Sequence, residues 1–65
     1  MESRTSGRRI RAYRKLKGYT QEGFAKQIGI SVSVLGEVER GTRLPSESIV
    51  ERMVSVLNIS KQELS

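Results

Sequence analysis

The side chains with the most chemistry to offer are cations crowded at one end. Arg4, Arg8, Arg9, Arg11, Arg14, Lys15 and Lys17 all fall before position 18, opposed there by Glu2 alone. The chain has 65 residues and a formal charge of +5, and beyond Lys17 it is close to neutral. A basic pole on a small domain draws polyanions, because each phosphate it neutralises releases condensed counterions. The same residues also describe a solvated, highly charged first helix, and charge alone does not choose between the two.

Catalytic chemistry lacks its parts. There is no cysteine, histidine or tryptophan, and every acidic side chain is a glutamate. Without Cys, His or Asp there can be no disulfide framework, thiolate zinc site, EF-hand loop or nucleophile–histidine–acid triad. Glu22, Glu37, Glu39, Glu47, Glu51 and Glu63 are scattered as solubilising residues usually are, and 65 residues leave little room for a substrate cleft. The expectation is a non-enzyme with no cofactor and no metal. No run approaches the ~18 apolar residues of a membrane span, and no signal-peptide core stands at the N-terminus. The expected compartment is the cytoplasm.

Positioning then falls to short helices. A third of the residues are apolar (35%), Tyr13, Tyr19 and Phe24 are the aromatic ones, and Pro45 is the lone proline. That composition predicts a thin aliphatic core in one all-α domain near the lower size limit for a single core. Five helices are predicted. The first runs from Arg8 to Lys17 with Ile10, Tyr13 and Leu16 inward, and Gly18 stops it. Thr20 caps a second helix that ends at Ile28, and Ser31 caps a third that ends at Arg40 before Gly41. A fourth restarts at Ser46 and turns Ile49, Val50, Met53, Val54 and Leu57 inward until Asn58. A last turn begins at Ser60, with Glu63 as capping-box partner and Leu64 as apolar anchor. Residues 1–5 are expected to be flexible, with Ser6 and Gly7 loosely ordered, and the domain to occupy 6–65.

The segment from about 20 to 40 is the informative one. Phe24, Ala25 and Ile28 form one apolar stripe and Leu35 and Val38 a second. Between them Gly29 supplies the positive φ that reverses the chain, followed by Ile30 and Ser31. Ala25 is small where two crossing helices come closest. These features together describe a helix-turn-helix made by the second and third helices. Removing the inward Leu35 and Val38 and stepping about 100° per residue leaves Val32, Ser33, Gly36, Glu37 and Arg40 in one arc about 140° wide.

With these residues in place the chain resembles the phage repressor-like helix-turn-helix family, the Xre or Cro/CI group with the lambda repressor-like fold. The residues that carry the resemblance are Gly7, Ile10, Arg11, Arg14, Gly18, Thr20 and Gln21, then Phe24, Ala25, Gly29, Ile30 and Ser31, then Leu35, Glu39, Gly41 and Pro45. Gly36 departs from the usual Ser, at about 0.5–1 kcal/mol relative to alanine in a helix. It removes a hydroxyl but allows closer approach to a groove. Ser6 stands where an apolar anchor is common.

The resemblance implies a sequence-specific transcriptional regulator, a repressor more than an activator, of bacterial or phage origin. It assigns the arc of the third helix to the major groove, with Val32, Ser33, Gly36 and Glu37 at the bases. Val32 suits a thymine methyl, and Glu37 can accept from cytosine N4. Gln21, Ser31, Arg40, Thr42 and Arg43 are assigned to phosphates, Gln21 with help from a helix N-terminus. Arg8, Arg9, Arg11 and Lys15 add longer-range attraction, and several of them are expected to be solvated only. Arg14 and Glu39 are assigned to an internal ion pair.

The implied partner is a double-stranded DNA operator, bound by a homodimer over half-sites about 34 Å apart. The surface from Leu57 to Leu64, with Ile59 exposed, is the candidate for pairing. The chain is either a whole small regulator or the DNA-binding part of a longer one with a C-terminal domain or partner protein. An antitoxin-like or co-regulatory protein-interaction module is the alternative. RNA or membrane-surface binding is weaker, because Ile10 and Tyr13 are needed inside and no aromatic stacking platform is evident.

Overall fold

Four hydroxyl side chains begin the four α-helices. Ser6, Thr20, Ser31 and Ser46 each hold an extended backbone and accept from the N–H three residues on, at Arg9, Gly23, Val34 and Ile49. Each satisfies a donor that the first helical turn leaves free. The helices are α1 (Gly7–Leu16), α2 (Gln21–Ile28), α3 (Val32–Arg40) and α4 (Glu47–Leu57), followed by a 3-10 turn at Lys61–Leu64. The computed structural model describes residues 5–65 and shows no strand among them.

The expected five-helix bundle is therefore four α-helices and a closing turn. In the closing piece the Glu63 and Ser65 N–H groups bond the Ser60 and Gln62 carbonyls, three residues back, the tighter 3-10 winding common in so short a segment. Ser6 and Gly7 are not loose: Ser6 caps α1, and its own N–H donates to the Leu64 carbonyl at 2.6 Å. Residues 1–4 of the predicted flexible segment lie outside the described residues.

The core gathers Ile10, Phe24, Ala25, Ile28, Leu35, Val38, Met53, Leu57 and Leu64 from every element. Tyr19 tilts against Phe24 with ring centroids 5.7 Å apart. Leu16, expected inside, is 74% exposed. It stands two positions past Arg14, about 200° around the helix, and Arg14 takes the inward place. Ile59, expected as a free anchor for pairing, is half-buried against the core instead. The left-handed Asn58 (φ 57) that ends α4 turns it inward.

Two features fix how α2 and α3 meet. Gly29 has φ 77, and the Ile30 N–H returns to the Ala25 carbonyl at 3.0 Å, closing α2 within one turn. Arg52 of α4 then donates to the Ile28 carbonyl at 3.2 Å, covering an acceptor that the helix end leaves open. The angle of α3 is thus set by the α2 terminus and braced from α4.

The closing turn is clasped to α1 and α4. Tyr13 Oη donates to Glu63 at 3.0 Å, Arg9 donates to the Glu63 carbonyl at 3.4 Å, and the Ser60 N–H donates to the Glu63 carboxylate at 3.1 Å. Lys61 pairs with Glu47 and lies 3.8 Å from Glu51, tying the turn to α4. The bonds from Ser60 and Tyr13 hold the Glu63 carboxyl below its ordinary value of 4.5. A depressed carboxylate contributes stability above its unfolded pKa and loses it as pH falls through its folded pKa. Thermal unfolding from about pH 6 down to about pH 3 should therefore show the gap between the parent protein and Glu63→Gln closing in acid. Leu64→Ala should lower stability by about 2–5 kcal/mol, read by urea unfolding, because Leu64 is fully buried.

Candidate nucleic-acid interface

Behind α3 lies a buried polar knot. Arg14 Nε donates to Glu39 Oε2 at 2.7 Å, and Arg14 Nη2 to Glu39 Oε1 at 3.2 Å. Arg14 Nη1 reaches the Tyr19 carbonyl at 2.9 Å, and Gln21 Nε2 donates to Glu39 Oε1 at 3.0 Å. Arg14 is 6% exposed and Glu39 8%. The Arg14–Glu39 pair thus ties α1, the loop after it and the start of α2 to the last turn of α3. Gly7 completes the join. A Cβ there would stand 2.9 Å from the Glu39 carbonyl oxygen and closer still to that of Val38, so only glycine lets α1 lie this near to α3.

Outward from the knot, the surface of α3 is open. Val32 is 40% exposed and Ser33 is exposed, both in the first turn. Gly36, expected as part of the open face, is buried. The Arg40 guanidinium crosses above it, 3.1 Å from where a Cβ would stand, and Gln21 Nε2 is 3.9 Å away. The cover is two polar side chains of the same surface, so Gly36 forms a notch beneath them.

The polar residues assigned to phosphates divide. The Ser31 oxygen accepts from the Val34 N–H, which leaves the hydroxyl proton available. Gln21 gives one amide hydrogen to Glu39 and has a second on the same nitrogen. Thr42 differs from expectation. Its hydroxyl (3.1 Å) and its N–H (3.0 Å) both donate to the Glu37 carbonyl, so neither donor points at an anion. Arg43 Nε donates to Glu37 Oε1 at 2.7 Å, joining a residue assigned to bases with one assigned to phosphates.

The structure also sorts the cations of α1, which charge alone could not. Arg8 and Arg11 join Glu39, Arg40 and Gly41 around a surface depression of about 480 Å³. A second hollow continues it through Arg11 and Arg40 to Gln21 and Gly36. Among the described residues Arg8, Arg11 and Arg40 have no ion-pair partner, and the carboxylate that lines the hollow, Glu39, is already paired with Arg14. Arg9 leaves by the other side, toward Glu63, beside Ala12, Tyr13 and Leu16. The i, i+3 spacing of Arg8 and Arg11 is the sequence signal that could have paired them on one face.

Among the described residues there is no group of three His, Cys, Asp or Glu that could hold a metal, and no buried side-chain polar atom lacks a partner. The arrangement offers hydrogen-bonding and methyl groups on a helix, flanked by unpaired guanidiniums. Removing one partner of the knot strands a buried charge. Arg14→Ala or Glu39→Ala should each cost about 3–5 kcal/mol in urea unfolding, and an Arg14→Met, Glu39→Met double variant should cost less than either.

The helix-turn-helix family model matches residues 10–64. The uncharacterized HTH-type transcriptional regulator YazB of Bacillus subtilis (strain 168) is 68% identical over 65 residues, covering 100% of this chain and 94% of YazB. The HTH-type transcriptional regulator SinR of the same organism is 37% identical over 59 residues, covering 89% of this chain and 53% of SinR. SinR, described as the master regulator for biofilm formation, in complex with DNA superposes with a TM-score of 0.84 at 37% identity, covering 91% of this chain and 98% of that one. The restriction-modification controller protein C.AhdI from Aeromonas hydrophila gives 0.85 at 37% identity, covering 91% of this chain and 89% of that one. This chain thus spans nearly all of YazB and about half of SinR. It belongs to the helix-turn-helix family of transcriptional regulators.

Proposed function

We propose that this protein is a sequence-specific regulator of transcription, a repressor, that seats α3 in the major groove of double-stranded DNA. One observation carries this. The open side of α3 is continuous with a strip of unpaired guanidiniums from Arg8 through Arg11 to Arg40, as an element flanked by two phosphate strands requires. Val32 offers methyls to a thymine, Ser33 donates or accepts at a base edge, and Glu37 accepts from cytosine N4. The notch at Gly36 admits the groove wall once Arg40 swings onto a phosphate. Gln21, at the N-terminus of α2, and Ser31, at that of α3, hold phosphate oxygens with the help of the helix ends.

A single α3 spans only a few base pairs, so affinity and length of site call for two copies, reading half-sites about 34 Å apart. SinR, about twice as long as the matched part, is also solved with the SinI protein. A further domain or protein partner here fits the same plan. The alternative, a module whose main partner is another protein, has the exposed Leu16 in its favour but leaves the guanidinium strip without a role.

Selection of bound duplexes from a random pool tests the function. The expected result is a two-fold symmetric motif, and absence of any enriched sequence overturns the proposal. Two variants refine it. Arg11→Ala should weaken binding to all sequences about equally and reduce the slope of log K against log salt by about 0.9. Val32→Ala should instead change the preferred base at one position of each half-site.

A further inference from the structure

We propose that Glu37 acts as an intramolecular competitor for Arg43, so that a DNA site without a proton donor opposite Glu37 also loses a phosphate contact. The inference rests on the DNA-binding function proposed above. Its basis is the pair itself. Arg43 Nε lies 2.7 Å from Glu37 Oε1, with the two side chains 52% and 38% exposed. The register is held by backbone as well as by charge. The Thr42 N–H and hydroxyl both bond the Glu37 carbonyl, folding the chain after Gly41 back along α3 and setting Arg43 beside Glu37. Arg8, Arg11 and Arg40 have no such partner among the described residues, so Arg43 is the one cation at the α3 edge that arrives already neutralised.

An exposed pair of this kind is weak and opens readily. Opening it beside DNA has two consequences. Arg43 gains a phosphate, and Glu37 is left as a bare carboxylate in a strongly negative field. Where the facing base offers an amino group, cytosine N4 or adenine N6, the carboxylate is compensated and Arg43 is released. Where the base presents only acceptors, as guanine O6 and N7 or thymine O4 do, the carboxylate holds Arg43 back. One wrong base then removes two contacts, and discrimination exceeds what Glu37 could give by base contact alone. Non-specific DNA is met with one cation fewer than the sequence counts.

The test is a salt titration on random duplexes and on the selected motif with the parent protein, Glu37→Gln, Arg43→Ala and the double variant. Glu37→Gln frees Arg43. It should bind random duplexes roughly threefold to fivefold more tightly and steepen the salt slope by about 0.9. Its preference for the motif over random DNA should fall. In the Arg43→Ala background the steepening should vanish, although loss of the bare carboxylate still tightens binding there. No steepening in Glu37→Gln overturns the inference, and so does a steepening that persists without Arg43, which would then owe nothing to a released Arg43. Failure of the parent protein to prefer any duplex would sink the DNA-binding function instead, so the two failures are distinct.

Discussion

The bidentate contact between Arg14 and Glu39 is what the rest of the structure depends on. A helix that reads DNA must hold its orientation while its outer side is stripped of water, and a core of mostly aliphatic side chains does not by itself fix a rotation. The buried ion pair does. It is directional, its two bonds define a plane, and its third and fourth contacts, to the Tyr19 carbonyl and from Gln21, draw in two more segments. Such a pair gives little net stability over apolar substitutes, yet a misdocked α3 would strand a charge. Alternatives are penalised more than the native state is favoured. Gly7 acts in the same direction, because the close approach it permits leaves α1 no second seat on α3.

Neutralising Glu39 internally has an electrostatic consequence on the surface. A free carboxylate at the end of α3 would cancel Arg40 and Arg11, which line the same hollow. With Arg14 committed to Glu39, the strip from Arg8 to Arg40 keeps its full charge. One arginine is thus committed to the interior, and three others keep their charge on the surface. Arg9 is diverted differently, to the clasp around Glu63, where it closes the fold rather than extending the strip.

What could be read from the sequence was local. Thr20, Ser31 and Ser46 were legible as caps, Gly29 and Gly41 as left-handed stops, and the stripes of Phe24, Ala25, Ile28, Leu35 and Val38 as the core. Each depends on neighbours within one or two turns. The misread positions depend on distant partners. Ser6 is ordered by the Leu64 carbonyl, 58 positions away by number, and Ile59 is drawn inward by a left-handed Asn58 that the sequence marked only as an ending. Leu16 lost its inward place to Arg14 because the knot outranked apolarity at that face. At the interface, the arc of α3 gave which residues share a side, but not that Arg40 covers Gly36, that Thr42 turns its donors to Glu37, or that Glu37 and Arg43 meet. Side chains long enough to fold back on their own surface escape any periodicity rule.

Those folded-back side chains separate the frame from the edge that would touch DNA. The frame is held because, among the described residues, every buried polar side-chain atom is matched and α1 meets α3 closely at Gly7. The edge is poised rather than rigid. Arg40 lies over Gly36 as a flexible exposed side chain, and Arg43 on Glu37 is an exposed pair, both weak enough to exchange for other partners at little cost. A domain with 65 residues cannot afford mobility in its core and specificity at its surface from the same interactions. With the strong charge pair inside and the weak one at the rim, α3 keeps a fixed orientation while its outermost side chains stay free to exchange partners.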